Sequence, residues 1–187
     1  MNTVITSRQE IIKAARRLAS DMSMSLIGIR QVADACNIAV GSVYNYFPSK
    51  AELLAALTED IWVSAFGGSL SGPSDMGFVN HVAWLFERAR VATAEFPAFL
   101  RVHTIHFRSG EKKTGRATMD RIFEGLKQGL LAAIKMDTRI PDTAFGNGLS
   151  HEDLAEFAFS NLYHLLSSGS DNCNTLLKVL SRVAYGD

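Results

Sequence analysis

In this chain of 187 residues, the densest run of side chains able to bond outward lies at Ser42, Tyr44, Asn45, Tyr46 and Lys50. Hydroxyls and an ammonium suit phosphate oxygens, and an Asn amide can pair with an adenine edge. Arg30 and Gln31 precede the run, and Ala39 and Val40 adjoin it. Other chemistries lack their residues. There is no phosphate-cradling Gly-rich loop, no HExxH and no GxSxG, and His151-Glu152 lacks the second His of a metalloprotease, so no enzyme is expected. His103 and His106 share a helix face, but a third and fourth metal ligand are not evident, and neither metal nor cofactor is expected. Cys36 and Cys173 stand far apart without a CxxC or Cys/His cluster. They read as free thiols in a reducing cytoplasm, used as small buried hydrophobes.

The elements that must position these groups are helical. Hydrophobic residues make up 47% and charged residues 20%, a balance that points to a globular chain rather than a disordered one. The N-terminus has no signal-like apolar core and no apolar run is long enough to span a bilayer, so a cytoplasmic protein with no membrane partner is expected. The formal net charge of zero argues against non-specific coating of nucleic acid. Its distribution is uneven: residues 1–50 carry six basic residues against Glu10, Asp21 and Asp34.

Apolar residues recur at spacings of three and four, with no sustained alternation, which predicts an all-α fold. A first helix over 7–22 opens on a Ser7/Glu10 capping box and carries the stripe Ile11, Ala15, Leu18 and Met22. Two short helices follow, 29–36 and 39–46, with Asn37 turning between them because its side chain tolerates left-handed angles. Pro48 ends the second, and Ser49 with Glu52 opens a longer helix over 49–66. A Gly- and Ser-rich loop comes next, then helices over 75–95, 97–109, 115–136, 151–168 and 173–185.

Two short helices cannot bury a core alone. Val32, Ala33, Ile38, Val43 and Phe47 are spaced to pack on 7–22, and Ala33 and Gly41 are small where the short helices would approach. The second short helix is then presented outward, where it can enter a major groove. The stretch Gly28–Leu54 resembles the helix-turn-helix of the TetR/AcrR family of transcriptional regulators. Gly41, Tyr44, Phe47, Pro48, Ser49, Lys50, Leu53 and Leu54 fall on the family pattern in order and spacing. The resemblance covers about the first 60 residues; the remainder matches only in length and helical character. It implies a three-helix DNA-binding head over 1–50, with 49–66 linking it to a ligand-sensing and dimerising body over 51–187. DNA-contacting residues would be Arg30, Gln31, Ala39, Val40, Ser42, Tyr44, Asn45, Tyr46 and Lys50. Three positions depart from the pattern: Asn37 replaces a turn Gly, Ala39-Val40 replaces Ser and a basic residue, and Gly28 replaces a capping Thr. The last two remove phosphate contacts. They leave open a rival reading, a helical interaction or sensing module whose head no longer binds DNA.

The resemblance also implies a homodimer through 151–168 and 173–185, and the sequence allows it. Leu154, Phe157, Ala158, Asn161, Leu162 and Leu165 line one side of 151–168, and Phe159, Tyr163 and Leu166 make it apolar nearly all round; Leu176, Leu177, Leu180, Val183 and Ala184 do the same in the last helix. Between head and dimer helices lie Phe78, Trp84, Phe86, Phe96, Phe99, Phe107, Met119 and Phe123, an aromatic interior suited to a small-molecule effector. Trp84, Arg88, His103, His106, Phe107, Phe123 and Asn161 are the candidate effector contacts. The function expected is a repressor that an effector releases from a palindromic DNA operator.

Overall fold

The computed structural model describes residues 6–22, 24–69, 71–73, 75–96, 111–146 and 148–186. Among them are eight α-helices and no strand: α1 (Arg8–Asp21), α2 (Ile29–Ala35), α3 (Val40–Tyr44), α4 (Lys50–Ala65), α5 (Phe78–Glu95), α6 (Glu111–Met136), α7 (His151–Ser167) and α8 (Asn174–Tyr185). The all-α expectation holds. The helix expected over 97–109, with Phe99, His103, His106 and Phe107, lies outside the described residues. α6 starts four residues earlier than its apolar pattern suggested.

The described residues of Met1–Trp62 and Thr93–Asp120 form one compact unit, and those of Val63–Ala92 and Arg121–Asp187 a second. In the first unit, the Ser7 hydroxyl accepts from Glu10 N at 3.2 Å and starts α1. The carboxylate half of the expected capping box is not made; Glu10 pairs instead with Lys13 at 2.8 Å. Ile11, Ile12, Ala14, Ala15 and Ala19 form the buried face of α1. α4 is buried over most of its circumference, with Leu53, Leu54, Leu57, Ile61 and Trp62 all sequestered, as a central helix requires. Its one buried hydroxyl, Thr58, bonds to Leu54 O at 2.8 Å. Arg16 reaches across to Asp60 (3.4 Å) and also stands over the ring of Phe96.

In the second unit, α7 begins with a complete capping box: Asp153 N donates to Ser150 Oγ at 3.0 Å and Ser150 N to Asp153 Oδ2 at 2.9 Å. Lys127 and Lys135 of α6 pair with Glu156 and Glu152 of α7; these exposed pairs set register more than stability. α5 has an unusual start. Its first N–H, on Phe78, is capped by the carboxylate of Asp137, which lies 59 residues away just after α6. Gly77 (φ 80°) makes room for this, since a methyl there would meet the Arg139 guanidinium that grips the same carboxylate. Of the side chains expected to line the interior, Phe96 and Met119 belong to the first unit, and Phe78, Trp84, Phe86 and Phe123 to the second.

Candidate nucleic-acid interface

α2 and α3 are joined by a turn whose geometry follows from one residue. Asn37 adopts φ 54°, its N–H donates to Asp34 O and the N–H of Ile38 to Ala33 O, both at 3.0 Å. This pair of bonds is a Schellman motif, which satisfies the last carbonyls of α2 and reverses the chain. Gly28, where a capping hydroxyl was missed, is served differently: its N–H donates to Gln31 Oε1 at 2.7 Å. Gln31 therefore spends its carbonyl on starting α2 and keeps its amide N–H groups for a partner.

α3 sits on a fully buried Val43, with Phe47 buried just beyond it. Its outward side carries Tyr44, Asn45 and Tyr46, all exposed, with Ala39 exposed ahead of it. Val40, Ser42 and Lys50 are half-buried, so less outward than the spacing suggested, and Arg30 is exposed on the first turn of α2. One expectation is corrected. Gly41 is exposed and a methyl there would meet nothing within 4 Å, so its smallness does not serve α2–α3 packing, which the fully buried Ala33 does.

The electrostatics narrow the set of groups that face outward. Lys13 and Arg16 are engaged with Glu10 and Asp60, and Arg8 lies over the ring of Phe47 at 5.1 Å. The Tyr46 hydroxyl donates to Thr6 O at 2.8 Å, fastening the segment before α1 to the end of α3. Its ring is exposed, but its proton is committed. Thr6 and Arg8 were not singled out from the sequence, since neither contact follows a local spacing. The Cys36 thiol, 4.0 Å from Glu10 O, is pushed up by burial and stays protonated.

The candidate effector contacts fall apart by role. Arg88 donates from Nε to the carbonyl of Ala65 and so caps the end of α4. Asn161 returns its amide to Phe157 O in its own helix, at 2.8 Å. Phe123 packs edge-on against Phe159 and Tyr163, at 5.2 and 5.3 Å between centroids. Trp84 lies between Phe66 and His81, at 5.8 and 5.7 Å. His81 was not anticipated, because a lone His on an apolar helix face carries no spacing signal. His103, His106 and Phe107 lie outside the described residues.

Residues 11–57 match the model of the bacterial regulatory proteins, tetR family. The chain carries a TetR-family helix-turn-helix head. The HTH-type transcriptional repressor KstR of Mycobacterium tuberculosis is 41% identical over 49 residues, which is 26% of this chain and 22% of that protein. The matched stretch thus spans under a quarter of the curated relative. Over nearly the whole chain the likeness is one of fold. The regulator FadR from Bacillus subtilis, solved in complex with stearoyl-CoA, superposes with a TM-score of 0.63 at 15% identity, covering 97% of this chain and all of that one. GusR of Salmonella enterica gives 0.60 at 17% identity, over 98% and 99% of the two chains. The TetR-type match contains every candidate DNA contact from Arg30 to Lys50 and none of the candidate effector contacts.

Proposed function

We propose that this protein is a homodimeric, TetR-type repressor that an effector releases from a near-palindromic operator. The observation that carries the reading is the exposed Tyr44–Asn45–Tyr46 run, held outward by buried Val43 on a turn closed by Asn37. In this reading Tyr44, Ser42, Lys50 and Arg30 meet phosphates, with Gln31 adding an amide donor beside Arg30. Asn45 reads a base edge. Tyr46 contributes its ring. The bare surface at Gly41, with Ala39 and Val40 beside it, lets the DNA backbone come close where the family pattern places polar side chains.

Residues 1–50 would serve as the head and 51–187 as the sensing and dimerising body. Phe157 of α7 and Val179 and Val183 of α8 are exposed at 46%, 43% and 38%, an apolar set on the two helices assigned to the two-fold contact. Such a dimer places its heads about one helical turn of DNA apart, roughly 34–36 Å or a multiple. An effector bound in the body would favour a head spacing that no longer fits both half-sites. FadR, with the same fold, was solved holding a ligand, which supports an effector of some kind here.

Selection of random duplex DNA by the purified protein tests the reading. A two-half-site palindrome should emerge, and the double variant Tyr44→Ala, Lys50→Ala should lose affinity for it. No enrichment at low salt would favour the module with a silent head, and unchanged affinity of the double variant would move the contact surface elsewhere.

A further inference from the structure

The imidazole of His81, on α5, is fully buried. Its Nδ1 lies 2.7 Å from the carbonyl oxygen of Pro73. A carbonyl can only accept, so the ring proton sits on Nδ1 and Nε2 presents a bare lone pair. Nε2 is itself buried and has no hydrogen-bond partner among the described residues. Native interiors rarely leave an acceptor so placed, because its lost hydration is not returned. Burial also lowers the proton affinity of the ring, against the pull of the Pro73 carbonyl, so Nε2 is not protonated at neutral pH.

The imidazole is flanked by the Trp84 ring and by a tight turn. A methyl at Gly72 (φ 62°) would lie 2.5 Å from the Trp84 ring and 3.0 Å from His81 Cε1. The adjoining Ser71 backbone sits as tightly on α6, 2.6 Å from where a methyl at Gly129 would be. The Ser71–Pro73 turn therefore fixes the tautomer, with Nε2 as the acceptor. Trp84 is half-buried, so part of this residue reaches solvent.

We propose that His81 Nε2 and Trp84 anchor the effector, and that the effector is an uncharged aromatic molecule bearing an O–H or N–H donor. This rests on the reading of residues 51–187 as an effector-sensing body. A donor fills the lone pair that the fold leaves open, and a flat ring matches Trp84 and Phe66. A carboxylate would face the lone pair unfavourably, and a cation would be desolvated beside a neutral ring.

The probes are phenol and its methyl ether, anisole, which differ in the donor. On the full chain, phenol should shift the 15N resonance of His81 Nε2, resolved from the other four histidines, and should bind about tenfold more tightly than anisole. His81→Phe should bring that ratio to about one, while the wild-type resonance gives a readout that needs no variant to fold. An equal response to both probes, a preference that survives in His81→Phe, or no response to phenol overturns the proposal; an ordinary internal water at Nε2 gives the last result. Operator occupancy, measured separately, distinguishes the two readings. If phenol binds at His81 without altering DNA affinity, the site stands and the effector role fails. If another compound releases DNA while phenol and anisole remain equivalent, the effector role stands and this site fails.

Discussion

Replacing Asp137 should unfold the body more effectively than replacing any single exposed charge. Its side chain is only 3% exposed. Oδ2 accepts from Phe78 N (2.9 Å), Arg139 Nη2 (2.8 Å) and the Tyr185 hydroxyl (2.7 Å), and Oδ1 from Arg139 Nε (2.8 Å) and N (3.2 Å). Three segments thus meet on one carboxylate: the start of α5, the turn after α6 and the end of α8. The Arg139 side chain is 58% exposed, so its ion pair is largely replaceable by water and is worth little. The cost lies with the N–H of fully buried Phe78, about 1–3 kcal/mol when orphaned, and with the charged bond from half-buried Tyr185, about 1–2 kcal/mol after partial resolvation. Asp137→Ala should therefore lose roughly 2–5 kcal/mol, or about 4–20 °C in Tm for a chain of this size. Asp137→Asn should lose somewhat less, because one oxygen still accepts while the other becomes an NH2 that faces donors. The bonds from Arg139 foremost, then from Tyr185 and the two backbone N–H groups, hold this carboxyl well below the usual carboxylate range. The unfolded chain therefore binds the proton first as pH falls. The stabilisation is complete above the unfolded value of about 4 and is lost progressively below it. Urea unfolding between pH 3 and 7 should show the wild type converging on Asp137→Asn at the acid end. A loss under about 1 kcal/mol for Asp137→Ala at pH 7, or parallel pH profiles for wild type and Asp137→Asn, would refute the reasoning.

Three further outcomes follow from the head. Asn37→Ala should destabilise by about 1–2 kcal/mol because φ is 54° there, while Asn37→Gly should match or exceed the wild type; equal denaturation midpoints for all three would mean the turn is not the constraint. Arg30→Ala should reduce the slope of log affinity against log salt by about 0.9 per lost phosphate contact, or roughly 2 for a dimer; anisotropy titrations giving an unchanged slope would take Arg30 off the phosphates. Tyr46→Phe should cost about 0.5–1.5 kcal/mol of stability through its lost bond to Thr6 O and change DNA affinity little, whereas Tyr44→Phe should do the reverse. The opposite pattern in paired melting and binding assays would exchange the roles of the two tyrosines.

What could be read from the sequence divides by the range of the interaction responsible. Asn37, the hydroxyl caps of Ser7 and Ser49 and the buried side of α3 were legible because each is set within one helical turn. Gln31 as the cap of α2 was legible too, three residues after Gly28, but reading it only as a DNA contact hid the closer use. At Gly41 smallness suggests packing, whereas the open space around it makes smallness a property of the surface. Tyr46 with Thr6, Arg16 with Asp60 and Asp137 with Phe78 span 40, 44 and 59 residues, and no periodicity encodes such pairings. His81 is the strongest case. Its Nδ1 has a partner and its Nε2 has none among the described residues, and neither can be inferred until the Ser71–Pro73 turn is placed against the helix. A turn built from short-range rules is therefore recognisable in an isolated sequence, while chemistry that depends on how buried groups are matched across distant segments is recognisable only once folded.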